Sequence, residues 1–237
     1  FNDYKIVRVR LCPFFYYVIY GAEVFSGSTG SWKKLEVENL KGVTLMERDG
    51  FSTNGAIYWF GSKSKPRVAE EGENDSDLIV SFDIAMEVFR LITMPPIHYN
   101  SDANFSVYEN KLAVLYPIRY SKSCLIELWV MEEATSATGE RERWTWIKKY
   151  TSNPYPCSLL PKTIWRNQIV CKVIDSMLGF TNEIEGEVEI SETKTILINL
   201  STNKFNIFVH PSFGPYHGIF NQVESLIPVD HVPNLEQ

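Results

Sequence analysis

Short apolar runs separated by polar turns fill this chain, and their spacing is that of strands rather than helices. In IVSFDI, Val80, Phe82 and Ile84 alternate with Ile79, Ser81 and Asp83, the period of two that sends successive side chains to opposite faces of a sheet. No amphipathic run of three helical turns interrupts this pattern. β-branched and aromatic residues are concentrated in the apolar runs, as strands require.

One hairpin pattern recurs. EVFSGSTGSWKKL (23–35), VSFDIAMEVFRLI (80–92) and LINLSTNKFNIFV (197–209) each carry an apolar strand, a polar turn and an aromatic at a fixed offset. Ser26 to Trp32, Asp83 to Phe89 and Asn199 to Phe205 are all six residues apart. In LWVMEEATSATGERERWTWIKKY the same ends enclose a longer turn, with Met131 and Trp144 thirteen apart. The aromatic anchors Trp32, Phe89, Trp144 and Phe205 follow one another at 57, 55 and 61 residues.

A second hairpin lies between these copies, in FSTNGAIYWF, FSVYENKLAVLY and KTIWRNQIVCKVI. Its turns are marked by Gly55, Asn110 and Asn167, residue types that tolerate positive φ, at spacings of 55 and 57. Two independent markers sharing one period define an internal repeat of two hairpins, or four short strands. Tandem four-stranded units with an aromatic anchor in each predict an all-β chain of β-propeller-like, kelch-like blades. A β-sandwich whose hairpins resemble one another by accident is the alternative. The expected units are 1–42 (partial), 43–93, 104–149 and 162–209, with a closing strand over 217–228, in a ring that these residues leave incomplete. Unpaired strand edges, and a tendency to aggregate, are expected of such a piece.

Composition restricts the partners. The chain is 44% hydrophobic and 22% charged, with 14 Phe, 12 Tyr and 6 Trp, as a globular protein with a large core should be. Its 29 acidic and 23 basic residues give a net charge of −6, so no overall positive field attracts nucleic acid or anionic lipid. Arg141, Arg143, Lys148 and Lys149 form the densest basic cluster, and Glu140 and Glu142 interrupt it. The apolar stretch from Leu11 to Tyr20 is too short and too aromatic to span a bilayer. Cys12, Cys124, Cys157 and Cys171 include no CxxC pair, which favours reduced, buried thiols and a cytoplasmic or nuclear protein. Sequons at Asn74, Asn104 and Asn199 are read as chance in the absence of a signal peptide. Opening at Phe1 directly in strand-like sequence, the chain reads as a piece of something longer.

No local motif of catalysis or metal binding stands out. His98, His210, His217 and His231 show neither helical pairing nor a Cys partner, and no GxSxG elbow, phosphate-cradling loop or dinucleotide fingerprint occurs. The acidic run EEGENDSD lacks calcium-loop spacing. No catalytic residue, metal or cofactor is therefore expected. If the strands run outward from an axis, the longer connections gather on one face, apart from the insertion at 132–143, which projects from the other. Loops on a rigid scaffold carry recognition. His98, Tyr99, Arg119, Tyr120, Tyr155, Tyr216 and His217, aromatic or basic residues of the kind that dominate interface hot spots, are the candidate partner-binding residues.

The succession DYKIVRV, EVFSGSTGSWKKL, NGAIYWF, IVSFDIAMEVFRLITMPP and LWVMEE…WTWIKKYT, closing with VESLIPV, resembles the F-box-associated interaction domain of plant F-box proteins. That group includes F-box/kelch-like proteins and the S-locus F-box group. The resemblance runs from Asp3 to about Val229. It implies a non-catalytic domain that captures a target protein for ubiquitination, while an F-box elsewhere docks on a Skp-type adaptor and a cullin. The F-box itself does not occur within these residues. A lectin-like or other small-ligand propeller, and an enzyme with a polar site on the axis, remain the alternatives.

Overall fold

The computed structural model describes residues 4–12, 17–47, 49–63, 76–97, 102–121, 123–134, 143–174 and 192–211. The expected closing strand over 217–228 lies outside them. Within them the chain is β-structured, with a single 3-10 turn at Glu38–Leu40.

Four units follow one another. The first contains β1 (Lys5–Cys12), β2 (Val18–Ser26) and β3 (Ser31–Leu35), and a short β4 (Val43–Leu45) leads into the second. The second contains β5 (Phe51–Thr53), β6 (Ala56–Lys63), β7 (Ser76–Asp83) and β8 (Val88–Thr93). The third runs through β9 (Asn104–Tyr108), β10 (Lys111–Arg119), β11 (Cys124–Ala134) and β12 (Arg143–Thr151). The fourth comprises β13 (Ser158–Trp165), β14 (Gln168–Ile174), β15 (Glu192–Asn199) and β16 (Phe205–Pro211). Each of the last two units is a separate four-stranded antiparallel sheet in sequential order. β4 joins the first two into one eight-stranded sheet, pairing with β6 through Val43 to Lys63 and touching β2 only at Val18 and Thr44. The architecture is propeller-like.

The periodic markers have a local cause. In the first hairpin of each complete unit both central turn residues lie at positive φ: Asn54 and Gly55 (50° and 73°), Glu109 and Asn110 (49° and 59°), Arg166 and Asn167 (45° and 62°). That is the type I′ turn, whose twist matches that of the flanking strands. In the six-residue pattern, the residue four after each marker turns left-handed: Gly30, Glu87 and Asn203 at φ 62°, 56° and 55°. Their amides donate to the carbonyls of Ser26, Asp83 and Asn199 at 2.9, 2.9 and 2.8 Å. Asp83 Oδ1 also accepts the amides of Ala85 and Met86, and Asn199 Oδ1 those of Ser201 and Thr202. A short acceptor side chain is needed there, and the aromatic follows two residues after the left-handed position.

The units pack face to face through three apolar layers. Ile19, Ala22 and Val43 meet Val80, Phe82 and Phe89 between the first and second. Between the second and third, Phe60 stacks on Phe105 with centroids 3.8 Å apart, backed by Ile79, Leu112, Val114 and Trp129. Leu115, Ile126 and Leu128 meet Ile169, Ile196 and Ile198 between the third and fourth. Since both faces of the third unit are covered, β10 and β11 read as nearly unbroken apolar runs instead of alternating.

Polar contacts fix how each fourth strand begins. Glu87, just before β8, accepts from Lys5 and Lys33 of the first unit, both at 2.7 Å, and Asn39 Nδ2 donates to the Phe89 carbonyl. Those two lysines, Lys33 foremost, hold the Glu87 carboxyl below its ordinary range. Trp146 Nε1 donates to the Thr93 carbonyl, tying β12 to the end of β8. Tyr150 Oη and the Asn153 amide both donate to Asn203 Oδ1, ahead of β16.

Two details depart from the sequence reading. β13 starts at Ser158, ahead of the boundary expected at 162, because the strand runs through Pro161 with a register shift between Pro161 and Thr163; proline is accommodated at such irregularities. Trp32 is not a core anchor. It is 42% exposed on the face of β3 turned away from the second unit, against Phe25 at 5.4 Å and beneath the Arg8 guanidinium at 4.2 Å. Phe89 is buried, and Trp144 and Phe205 are half-buried.

Burial separates the anchors energetically. Phe89→Ala is expected to lower unfolding stability by about 3–5 kcal/mol, and Trp32→Ala by about 1 kcal/mol, the scale of one aromatic pair. Urea unfolding of both variants measures this, and equal losses would contradict the two placements.

Candidate functional site

The connections after β8, between β10 and β11, and after β12 meet at one end of the third unit. Arg119 Nη2 lies 2.5 Å from Asp102 Oδ2, joining two of them. Cys124 exchanges backbone hydrogen bonds with Tyr155, both at 2.8 Å, joining the third. The Tyr155 ring packs on Phe205, centroids 5.1 Å apart, and burial raises its phenol pKa. Tyr120 is 59% exposed, and its amide donates to the Ser123 carbonyl, which closes the turn. Of the seven residues proposed from sequence, Arg119, Tyr120 and Tyr155 therefore converge around Cys124. His98, Tyr99, Tyr216 and His217 lie outside the described residues. Arg119 and Tyr155 are engaged in holding the connections together, whereas Tyr120 offers its ring to solvent.

The insertion after β11 leaves from the opposite end, as the Lys111–Glu132 ion pair beside the Asn110 turn fixes. Lys148 and Lys149, half of the basic cluster noted in the sequence, pair with Glu127 at 2.8 Å and Glu132 at 3.3 Å.

At that same end the second and third units splay apart around a cleft of about 780 Å³. Its wall on the second unit is a cross-strand row in which Tyr58 faces Ser81 and Ser81 faces Arg90, with Asp83 one step nearer the rim. The opposite wall is formed by Leu112, Met131 and Trp144. Asn54 Nδ2 donates to the Asn110 carbonyl across the two type I′ turns and closes one side. Tyr58 and Ser81 are 8% and 6% exposed. Burial, with the Asp83 charge second, raises the Tyr58 pKa. Sequence reading missed this cleft. The available signal was a polar pair, Ser81 and Asp83, on the strand face that also carries the buried Ile79.

The thiols divide by position. Cys124 and Cys171 are buried in the layer between the third and fourth units, and burial pushes both pKa values up, which makes them poor nucleophiles. Cys157 is exposed and Cys12 half-buried, a correction to the expectation that all four are buried. Among the described residues no group of three His, Cys, Asp or Glu side chains could hold a metal, and no helix is long and apolar enough to cross a membrane.

Stacked four-stranded sheets with recognition-sized features at their ends define a propeller-like scaffold. Over residues 1–229 the chain matches the family described as F-box associated beta propeller domain, and it belongs to that family. It is similar to a probable F-box protein of Arabidopsis thaliana, 28% identical over 245 residues, covering 96% of this chain and 51% of that protein. A putative F-box/kelch-repeat protein of the same plant is 27% identical over 158 residues, covering 63% of this chain and 40% of its own length. A third, a putative F-box protein, is 33% identical over 107 residues, covering 44% and 25%. The chain thus spans about half or less of the length of these relatives.

Thiol labelling follows from the burial. In the native chain iodoacetamide is expected to modify Cys157 while sparing Cys124 and Cys171 until denaturant is added; peptide mapping showing native-state labelling of Cys171 would contradict the packing of the third unit on the fourth.

Proposed function

We propose that this chain is the target-recognition domain of a plant F-box protein, capturing proteins for ubiquitination by a ligase of Skp-type adaptor and cullin. The observation that carries this reading is membership of the F-box associated family along nearly the whole chain, together with relatives named as F-box and F-box/kelch-repeat proteins. The domain contributes binding and geometry: rigid sheets hold connections and cleft walls at fixed positions, so little ordering entropy is lost when a target docks. Catalysis belongs to other components of the ligase, and the domain acts in the cytoplasm or nucleus.

Tyr120 and the connections around Arg119 and Tyr155 form one proposed contact surface. His98, Tyr99, Tyr216 and His217 remain proposed members of it. The test is affinity purification, from the source tissue, of the full-length protein that contains this chain. A Skp-type adaptor and a cullin are expected to co-purify, with Tyr120→Ala reducing the yield of bound target several-fold and leaving the adaptor unchanged. Absence of both ligase components would overturn the proposal in favour of a free interaction or lectin-like propeller.

A further inference from the structure

The face that β1, β2 and β3 turn away from the second unit combines exposed apolar side chains with a cluster of charge. Its cross-strand rows are Ile6, Phe25 and Trp32, then Arg8, Glu23 and Lys34, then Arg10 beside Gly21. Tyr4, Ile6 and Trp32 are 61%, 50% and 42% exposed, and the Tyr4 ring lies against Phe25. Apolar groups gathered in this way on one sheet face mark a surface that another segment covers.

Charge says what kind of segment. Arg8, Arg10 and Lys34 surround the single carboxylate of Glu23, which leaves this face positive in a chain of net charge −6. Arg10 Nη2 donates to Glu23 Oε2 at 2.9 Å. Arg8 Nη1 stands 2.9 Å from Glu23 Oε1, yet that buried oxygen accepts no hydrogen bond; the guanidinium lies over Trp32 instead, 4.2 Å from the ring centroid. Arg8 is therefore held in place with N–H donors still to be used, and an acidic, partly apolar segment fits such a surface. Residues 212–237, which follow β16 and lie outside the described residues, supply one. They include Glu224, Asp230 and Glu236 but no Lys or Arg, with Val223, Leu226 and Ile227 close to the first of these. Fully extended, a segment of that length reaches about 85 Å, against about 10 Å for each sheet-to-sheet step from the fourth unit back to the first. A second copy presenting the same face would set like charges together.

We propose that residues 217–230, which contain the expected closing strand, pack on the outer face of the first unit. Glu224 and Asp230 face Arg8 and Lys34, and their apolar neighbours cover Ile6 and Trp32. Neither the contact nor its test involves a captured protein or a ligase component, so this inference and the proposed function can fail separately.

The test is hydrogen exchange of the full chain, read by mass spectrometry on peptides covering 217–230. In the parent chain these amides are expected to exchange more slowly than in the isolated peptide of the same sequence. Trp32→Ala and Lys34→Glu should each speed them several-fold to about tenfold, the scale of one aromatic contact. Glu224→Lys combined with Asp230→Lys, which alters no residue of the sheets, should do the same. In a mixture of isotopically labelled and unlabelled chains, a carbodiimide should link Lys34 to Glu224 or Asp230 within one chain. Exchange as fast as in the isolated peptide, protection unchanged in all three variants, or links only between labelled and unlabelled chains would each overturn the proposal; the second result would place the segment on another face, and the third would make the occupant a second copy.

Discussion

Everything in this structure depends on the third unit having no free face. One side presses Phe105, Val114 and Trp129 against Phe60 and Ile79, and the other presses Leu115, Ile126 and Leu128 against Ile169 and Ile196. Each such side chain moved out of water contributes about 1.5–3 kcal/mol before entropy is subtracted. A single four-stranded sheet has nothing comparable within itself. Stability therefore lies between units, and the hydrogen bonds from Trp146 to Thr93 and from Tyr150 to Asn203 fix the angle at which neighbouring sheets meet.

That dependence explains what sequence could and could not reveal. The repeat was legible because turns are local: Gly55, Asn110 and Asn167 occupy positions that need positive φ, and Asp83 and Asn199 supply acceptors for the amides that follow. Strand type was legible for the same reason. Trp32 was misread because its spacing repeats faithfully while its burial depends on what covers the face it lies on. Pro161 was misread as a boundary because a bulge absorbs it.

The candidate surfaces were less legible still. Arg119 and Tyr155 have the residue types of an interface, yet their partners, Asp102 in another connection and Phe205 on β16, engage them internally. The cleft was invisible because it is made by two units diverging, and no spacing along one strand encodes the distance to the next sheet.

Native-state hydrogen exchange across a denaturant series tests this account of stability most directly, at the amides of β6, β7, β10, β11, β14 and β15. The account predicts that these central strands, drawn from three sheets, converge on one opening free energy, because the third unit cannot expose either face without releasing its neighbour. Separate opening energies for the three sheets would contradict it, making each unit stable by itself and the layers between them incidental.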